Sequence, residues 1–87
     1  MPNSRVQLLD RTTRRQLDQI GEPDFGRIAQ AILMLEYDPR PPGCRKLRGL
    51  DGWRVRVGDW RVIYQVDDTA RVVTIVEVRR RREDTYR

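Results

Sequence analysis

The chain has 87 residues, 36% charged and 38% hydrophobic, with a formal net charge of +5. That size and balance suit one domain, residues 1–87, with a modest core, and argue against a fully disordered chain. One cysteine and no histidine exclude an internal disulfide, the usual transition-metal clusters and a thiol–imidazole nucleophile at Cys44.

No apolar run reaches membrane-spanning length and no leader-like segment opens the sequence, so the expected location is the cytoplasm, without membrane association. No phosphate-binding glycine loop, dinucleotide fingerprint or internal repeat is visible, and no cofactor or metal is expected. The charge is unevenly spread. Residues 44–87 carry 12 Lys and Arg against 7 Asp and Glu, while residues 1–43 carry 6 of each. Such asymmetry reads as a footprint for a polyanion, most often nucleic acid; a solvated face without a partner is the alternative.

In chain order, Val6-Gln7-Leu8-Leu9 predicts a first strand. Asp10 or Thr12 then caps a helix, with Thr13 and Gln16 at capping-box spacing and Leu17 and Ile20 on its apolar edge. Gly21 is the expected left-handed terminator. Pro23 suits the first turn of a second helix, in which Phe25, Ile28, Ala29, Ile32 and Leu33 form one face, extended by Leu35 and Tyr37. The prolines between Asp38 and Gly43 end it. The two helices read as a hairpin whose apolar face belongs to the core.

From Trp53 the period changes to two. Trp53, Val55 and Val57 alternate with Arg54 and Arg56, Gly58-Asp59 fits a two-residue hairpin turn, and Trp60 to Val66 returns. Counting outward from that turn sets Val57 against Trp60, Arg56 against Arg61, Val55 against Val62, Arg54 against Ile63 and Trp53 against Tyr64. One face is then apolar, and the other gathers Arg54, Arg56 and Arg61. Opposed like charges weaken a hairpin, so an anionic ligand explains this face better than solubility does. After a turn at Asp67-Asp68-Thr69-Ala70, residues 71–78 predict a third strand of open register, since loops of four or five residues both fit. Arg79, Arg80, Arg81 and Arg82 lead into a polar tail beside the arginine face.

Lys46-Leu47-Arg48-Gly49-Leu50, the Trp53 to Val57 alternation, Trp60-Arg61-Val62-Ile63-Tyr64-Gln65-Val66-Asp67-Asp68 and the terminal Asp84-Thr85-Tyr86-Arg87 together resemble the RelE branch of the RelE/ParE toxins, most strongly over residues 45–87. The resemblance implies an α+β fold of microbial-ribonuclease type, with an N-terminal strand and a helical hairpin packed on an antiparallel sheet. It implies the toxin of a bacterial type II toxin–antitoxin pair. Its partners would be a cognate antitoxin and messenger RNA in the ribosomal A site, with contacts to 16S ribosomal RNA. Cleavage would proceed by 2′-OH attack on the adjacent phosphorus.

Carried over by position, Arg61 stabilises the phosphate transition state, Arg54 and Arg56 stand where RelE has two phosphate-contacting lysines, and Arg81 or Arg80 supports the leaving group. Tyr86 matches the terminal tyrosine that stacks on a base. Lys46, Arg48, Arg79, Arg80 and Arg82 are the further cations expected to grip RNA. Arginine stays protonated and is a poor proton acceptor. Either Tyr86, activated by the surrounding cations, or Glu77, Glu83 or Asp84 serves as base, or catalysis is mostly electrostatic and positional with alignment imposed by the ribosome, the reading preferred here. The same fold family offers a second outcome, a ParE-like toxin that poisons DNA gyrase without cutting RNA, and a third, a relative that only binds its antitoxin or RNA.

Overall fold

Strand β1 (Arg5–Leu8) turns Val6 and Leu8 toward the core and leaves Arg5 and Gln7 exposed. This is a computed structural model, and it describes residues 3–49 and 51–80. Asp10 caps helix α1 (Arg11–Asp18), its Oδ1 accepting from the Thr13 N–H at 3.1 Å. Thr13 and Gln16 do not make the expected capping box, because both reach across to the last strand instead. The Thr13 hydroxyl, in a residue only 1% exposed, donates to the Val76 carbonyl at 3.0 Å. Gln16 Oε1 accepts from the Val78 N–H at 2.9 Å. Nor does Gly21 terminate the helix. Gln19 caps it in a right-handed conformation, its N–H returning to the Arg15 carbonyl at 3.1 Å.

Helix α2 (Asp24–Met34) buries Ile28 and Ile32, with Leu35 just beyond its end. Leu33, expected on this apolar face, and Tyr37, expected to extend it, are 54% and 51% exposed. At 3.6 residues per turn, Ile28, Ile32 and Leu35 fill the sheet-facing stripe, and Leu33 falls about a quarter-turn outside it.

The remaining elements are β2 (Arg45–Lys46), β3 (Trp53–Val57), β4 (Trp60–Asp67) and β5 (Val72–Arg80). They form one five-stranded sheet in the order β1-β5-β4-β3-β2. The sheet is mixed rather than antiparallel throughout, since β1 pairs parallel with β5 and the other neighbours are antiparallel. The two helices pack against one face. There Val62, Tyr64, Val73, Ile75 and Val78 meet Ile20, Ile28, Ile32 and Leu35 in a single core.

The β3–β4 register is the one counted from the turn, Val57 facing Trp60 through to Trp53 facing Tyr64. Gly58, the first turn residue, takes φ +59°, which a side chain would disfavour. Between β4 and β5 the loop spans residues 68–71, which settles the open choice of length.

Strand β5 departs from simple alternation. Tyr64 pairs with Ile75 and Ile63 with Glu77, so Val76 is an extra residue in a β-bulge. With strict alternation from Val73 and Ile75, residues 77 and 79 would point inward. The bulge reverses this, so that Val78 enters the core and Arg79 comes out opposite Arg61. Thr13 and Gln16 bond to Val76 and Val78 on either side of the shift, so α1 continues the hydrogen bonding of β5 where β1 has ended.

Candidate nucleic-acid interface

The sheet face away from the helices carries the basic residues in ranks across the strands. Arg56 faces Arg61 across β3–β4, and Arg61 faces Arg79 across β4–β5, giving one lateral row of three guanidinium groups. The next rank runs Arg45, Arg54, Ile63 and Glu77. Arg56 is exposed, whereas Arg54, Arg61 and Arg79 are partly sunk into the face, and the Nε of Arg61 is buried.

Neighbouring strands lie about 4.8 Å apart, a spacing at which each opposed pair of arginines can flank one tetrahedral anion. Each offers planar, forked, permanently charged donors that match phosphate oxygens. A carboxylate borders this row. Glu77 Oε2 accepts from Arg79 Nε at 3.0 Å and from Arg79 Nη2 at 2.6 Å, which fixes the outward aim of that guanidinium.

The structure brings together Arg54, Arg56, Arg61 and Arg79 from the sequence-derived set, and it separates others from them. Lys46 pairs with Trp53, on the helix side, and its Nζ lies 5.3 Å from the Trp53 ring centroid. Arg80 likewise faces the helices, its guanidinium 5.2 Å from the ring centroid of Trp60. Trp60 is held in turn by its Nε1 donating to Asp24 Oδ2 at 3.1 Å. Arg48 is exposed in the turn after β2. Arg81, Arg82 and Tyr86, and with them Glu83 and Asp84, lie outside the described residues.

Arg45 was missed by sequence reasoning. A two-residue strand is too short to show a period, and only pairing with Arg54 puts Arg45 on this face. Among the described residues no group of three or more His, Cys, Asp or Glu is placed to hold a metal ion, and no helix is long and apolar enough to cross a membrane.

The shifted ionisations lie on the helix side of the sheet. Arg40 grips Asp68 through two hydrogen bonds of 3.1 and 2.9 Å. That contact lowers the Asp68 carboxyl below its ordinary value and raises the Arg40 guanidinium. Burial pushes the Tyr64 phenol well above the ordinary tyrosine value, with neighbouring Cys44 adding to the shift. Tyr64 donates to the Pro39 carbonyl at 2.7 Å, tying the proline-rich loop to the core.

The family model described as ParE toxin of type II toxin-antitoxin system, parDE, matches residues 7–85. A chain of the archaeal RelE–RelB complex from Pyrococcus horikoshii OT3 is 29% identical, covering 91% of this chain and 96% of that one with a TM-score of 0.80. The RelBE2 toxin–antitoxin complex of Mycobacterium tuberculosis gives 24% identity, coverage of 93% and 100%, and a TM-score of 0.78. The intact RelBE complex of E. coli gives 21%, coverage of 88% and 95%, and 0.77. The last two are likenesses of fold. No curated protein matches the chain by sequence. A match spanning nearly the whole chain, on a two-helix, five-stranded architecture shared with RelE structures, places this protein in the ParE toxin family of type II toxin–antitoxin systems, within the RelE/ParE group.

Proposed function

We propose that this toxin is a ribosome-dependent messenger-RNA endoribonuclease, acting in the cytoplasm and arresting translation. The observation that carries this reading is the row Arg56–Arg61–Arg79, three guanidinium groups aligned across three strands of one face. In the proposed reaction the ribose 2′-OH attacks the adjacent phosphorus as its proton passes to Glu77 or water. The bond to the 5′-oxygen of the next nucleotide breaks and that oxygen takes a proton from water, leaving a 2′,3′-cyclic phosphate and a 5′-OH. Charge builds on the non-bridging oxygens of the phosphorane, where Arg61, at the centre of the row, stabilises it, while Arg56 and Arg79 hold the flanking oxygens. Arg54 and Arg45, one rank away, extend the contact along the RNA backbone. In-line attack needs alignment before anything else, and the ribosome supplies it by fixing the codon against this face. Glu77 stands in the next rank as the candidate proton acceptor.

The similar structures from Pyrococcus, Mycobacterium and E. coli contain RelB-type antitoxins. By analogy we assign this chain a cognate antitoxin with acidic segments that cover the arginine face. The direct test is primer extension on messenger RNA in a reconstituted translation reaction. Wild-type protein is expected to cut at ribosome-occupied codons, and Arg61→Ala to lower the rate about a hundred- to a thousandfold, as for loss of one preorganised donor. Retention of full cleavage by Arg61→Ala would remove the arginine row from the mechanism.

A second reading is gyrase poisoning without RNA cleavage, favoured by the family model being that of ParE toxins. Intact messenger RNA together with inhibited supercoiling by the same folded protein would select it.

A further inference from the structure

On the same sheet face, beyond the arginine row, the positive charge stops and a small cleft of about 180 Å³ opens, lined by Leu47, Asp51, Gly52, Ile63, Gln65 and Val76. It arises from a missing side chain. At Gly52 a Cβ would stand 3.1 Å from the Tyr64 carbonyl oxygen, 3.4 Å from Leu47 Cδ1 and 3.9 Å from Gln65 Cγ. Glycine therefore lets the chain lie flat against β4, and the Leu47 N–H, donating to the Gly52 carbonyl at 2.9 Å, holds the wall beside it. The floor is apolar because Val76, the extra residue of the bulge, joins Ile63 there. Two partly exposed aliphatic side chains beside a bank of arginines serve no core and weaken the face as a purely ionic surface.

We propose that this cleft is a nucleobase subsite of the RNA-binding face, reading adenine in preference to uracil; the proposal rests on the RNA reading given above. The volume falls below that of pockets that enclose drug-sized ligands and suits a single planar ring system. Ile63 is two residues along β4 from Arg61, roughly 7 Å at strand spacing. That is about the reach from a phosphate to the base of its own nucleotide. A phosphate on the Arg56–Arg61–Arg79 row thus brings its base over Ile63 and Val76.

The rim supplies the discrimination. Gln65 carries both an amide donor and an acceptor, the pair that matches the N6 and N7 edge of adenine. Asp51 has only acceptors when ionised, so it favours a base edge that presents N–H donors, such as the adenine amino group. Lys46 Nζ approaches Asp51 Oδ1 at 4.0 Å and leaves that carboxylate open to the cleft. Uracil replaces the amino group with a carbonyl oxygen and keeps only its ring N3–H as a donor, so it matches Gln65 and Asp51 less well.

The test is a binding measurement that does not depend on cleavage. The probes are labelled pentanucleotides with 2′-methoxy groups, which cannot be cut: UUAUU, UUUUU and the same strand with an abasic centre, followed by fluorescence anisotropy at low salt. Wild-type protein is expected to bind the adenine probe about tenfold tighter than either of the others, the scale of one stacked and edge-read base. Gln65→Ala, at an exposed position, and Leu47→Ala are expected to bring that ratio toward one while leaving affinity for the abasic probe unchanged. A ratio near one for the wild type overturns the proposal, as does a ratio that survives both substitutions in folded protein. Failure of the ribonuclease reading shows separately, as intact messenger RNA in the translation reaction.

Discussion

Charge reversal at Arg56 tests the arginine row through stability and activity at once. Arg56 lies directly opposite Arg61, and Arg61 has a second like-charged neighbour in Arg79. A directly opposed like pair costs a few tenths of a kcal/mol to about one, and an opposite pair returns a similar amount. Arg56→Glu removes the first and creates the second. Because Arg56 is exposed, solvent screening holds the sum to about 1 kcal/mol. For a domain of this size that raises Tm by about 4–8 °C.

The same change puts a negative charge where the row meets phosphate, so cleavage is expected to fall at least about a hundredfold. The assay is thermal unfolding followed by circular dichroism at low salt and again near 1 M salt, where the Debye length of about 3 Å should erase most of the gain. Arg56→Gln should show about half the rise. An unchanged or lower Tm at low salt, with a native spectrum, would refute the reasoning, because it would mean that the row is not repulsive. A rise in Tm with full cleavage would mean that the row is strained for some purpose other than the reaction.

Two further outcomes follow from the core. Thr13→Val keeps the shape of the side chain but leaves the Val76 carbonyl without its donor, so unfolding should become easier by about 2 kcal/mol and Tm should drop by roughly 8–16 °C; a drop under about 2 °C would show that the bulge does not depend on this hydroxyl. Tyr64→Phe removes the 2.7 Å bond to Pro39 and should cost about 1 kcal/mol at neutral pH. The pH response has a definite sign. The unfolded phenol releases its proton near the ordinary value of 10.0, while burial keeps the folded phenol protonated above it. Wild-type stability should therefore fall above that pH with a slope of up to about 1.4 kcal/mol per unit. Urea unfolding on either side of that value should find this component missing in Tyr64→Phe.

Local chemistry was enough for part of this protein. Gly58-Asp59 sets a two-residue turn, and with period-two side chains the turn alone dictates which residues face each other from Trp53 to Tyr64. The convergence of Arg54, Arg56 and Arg61 was therefore legible before any tertiary structure. The apolar run from Phe25 to Ile32 likewise announced a helix packed on the sheet. The RelE-like segments carried the family.

The other half of the site depended on long-range contacts. Arg79 joins the row only because a bulge at Val76 reverses the inward and outward sense of β5, and the side chains bonded on either side of that bulge belong to α1, more than sixty residues earlier in the chain. Nothing in the sequence around Val76 demands an extra residue, since Val72 to Val78 is apolar enough to read in either register. For the same reason Thr13 and Gln16 looked like a local cap and turned out to be strand partners. Arg45 and Lys46 are adjacent and alike, yet pairing with Arg54 and Trp53 sends them to opposite faces. Periodicity can say that alternate residues part company, but a strand of two has no pattern to say which way, and that choice belongs to the neighbour it pairs with.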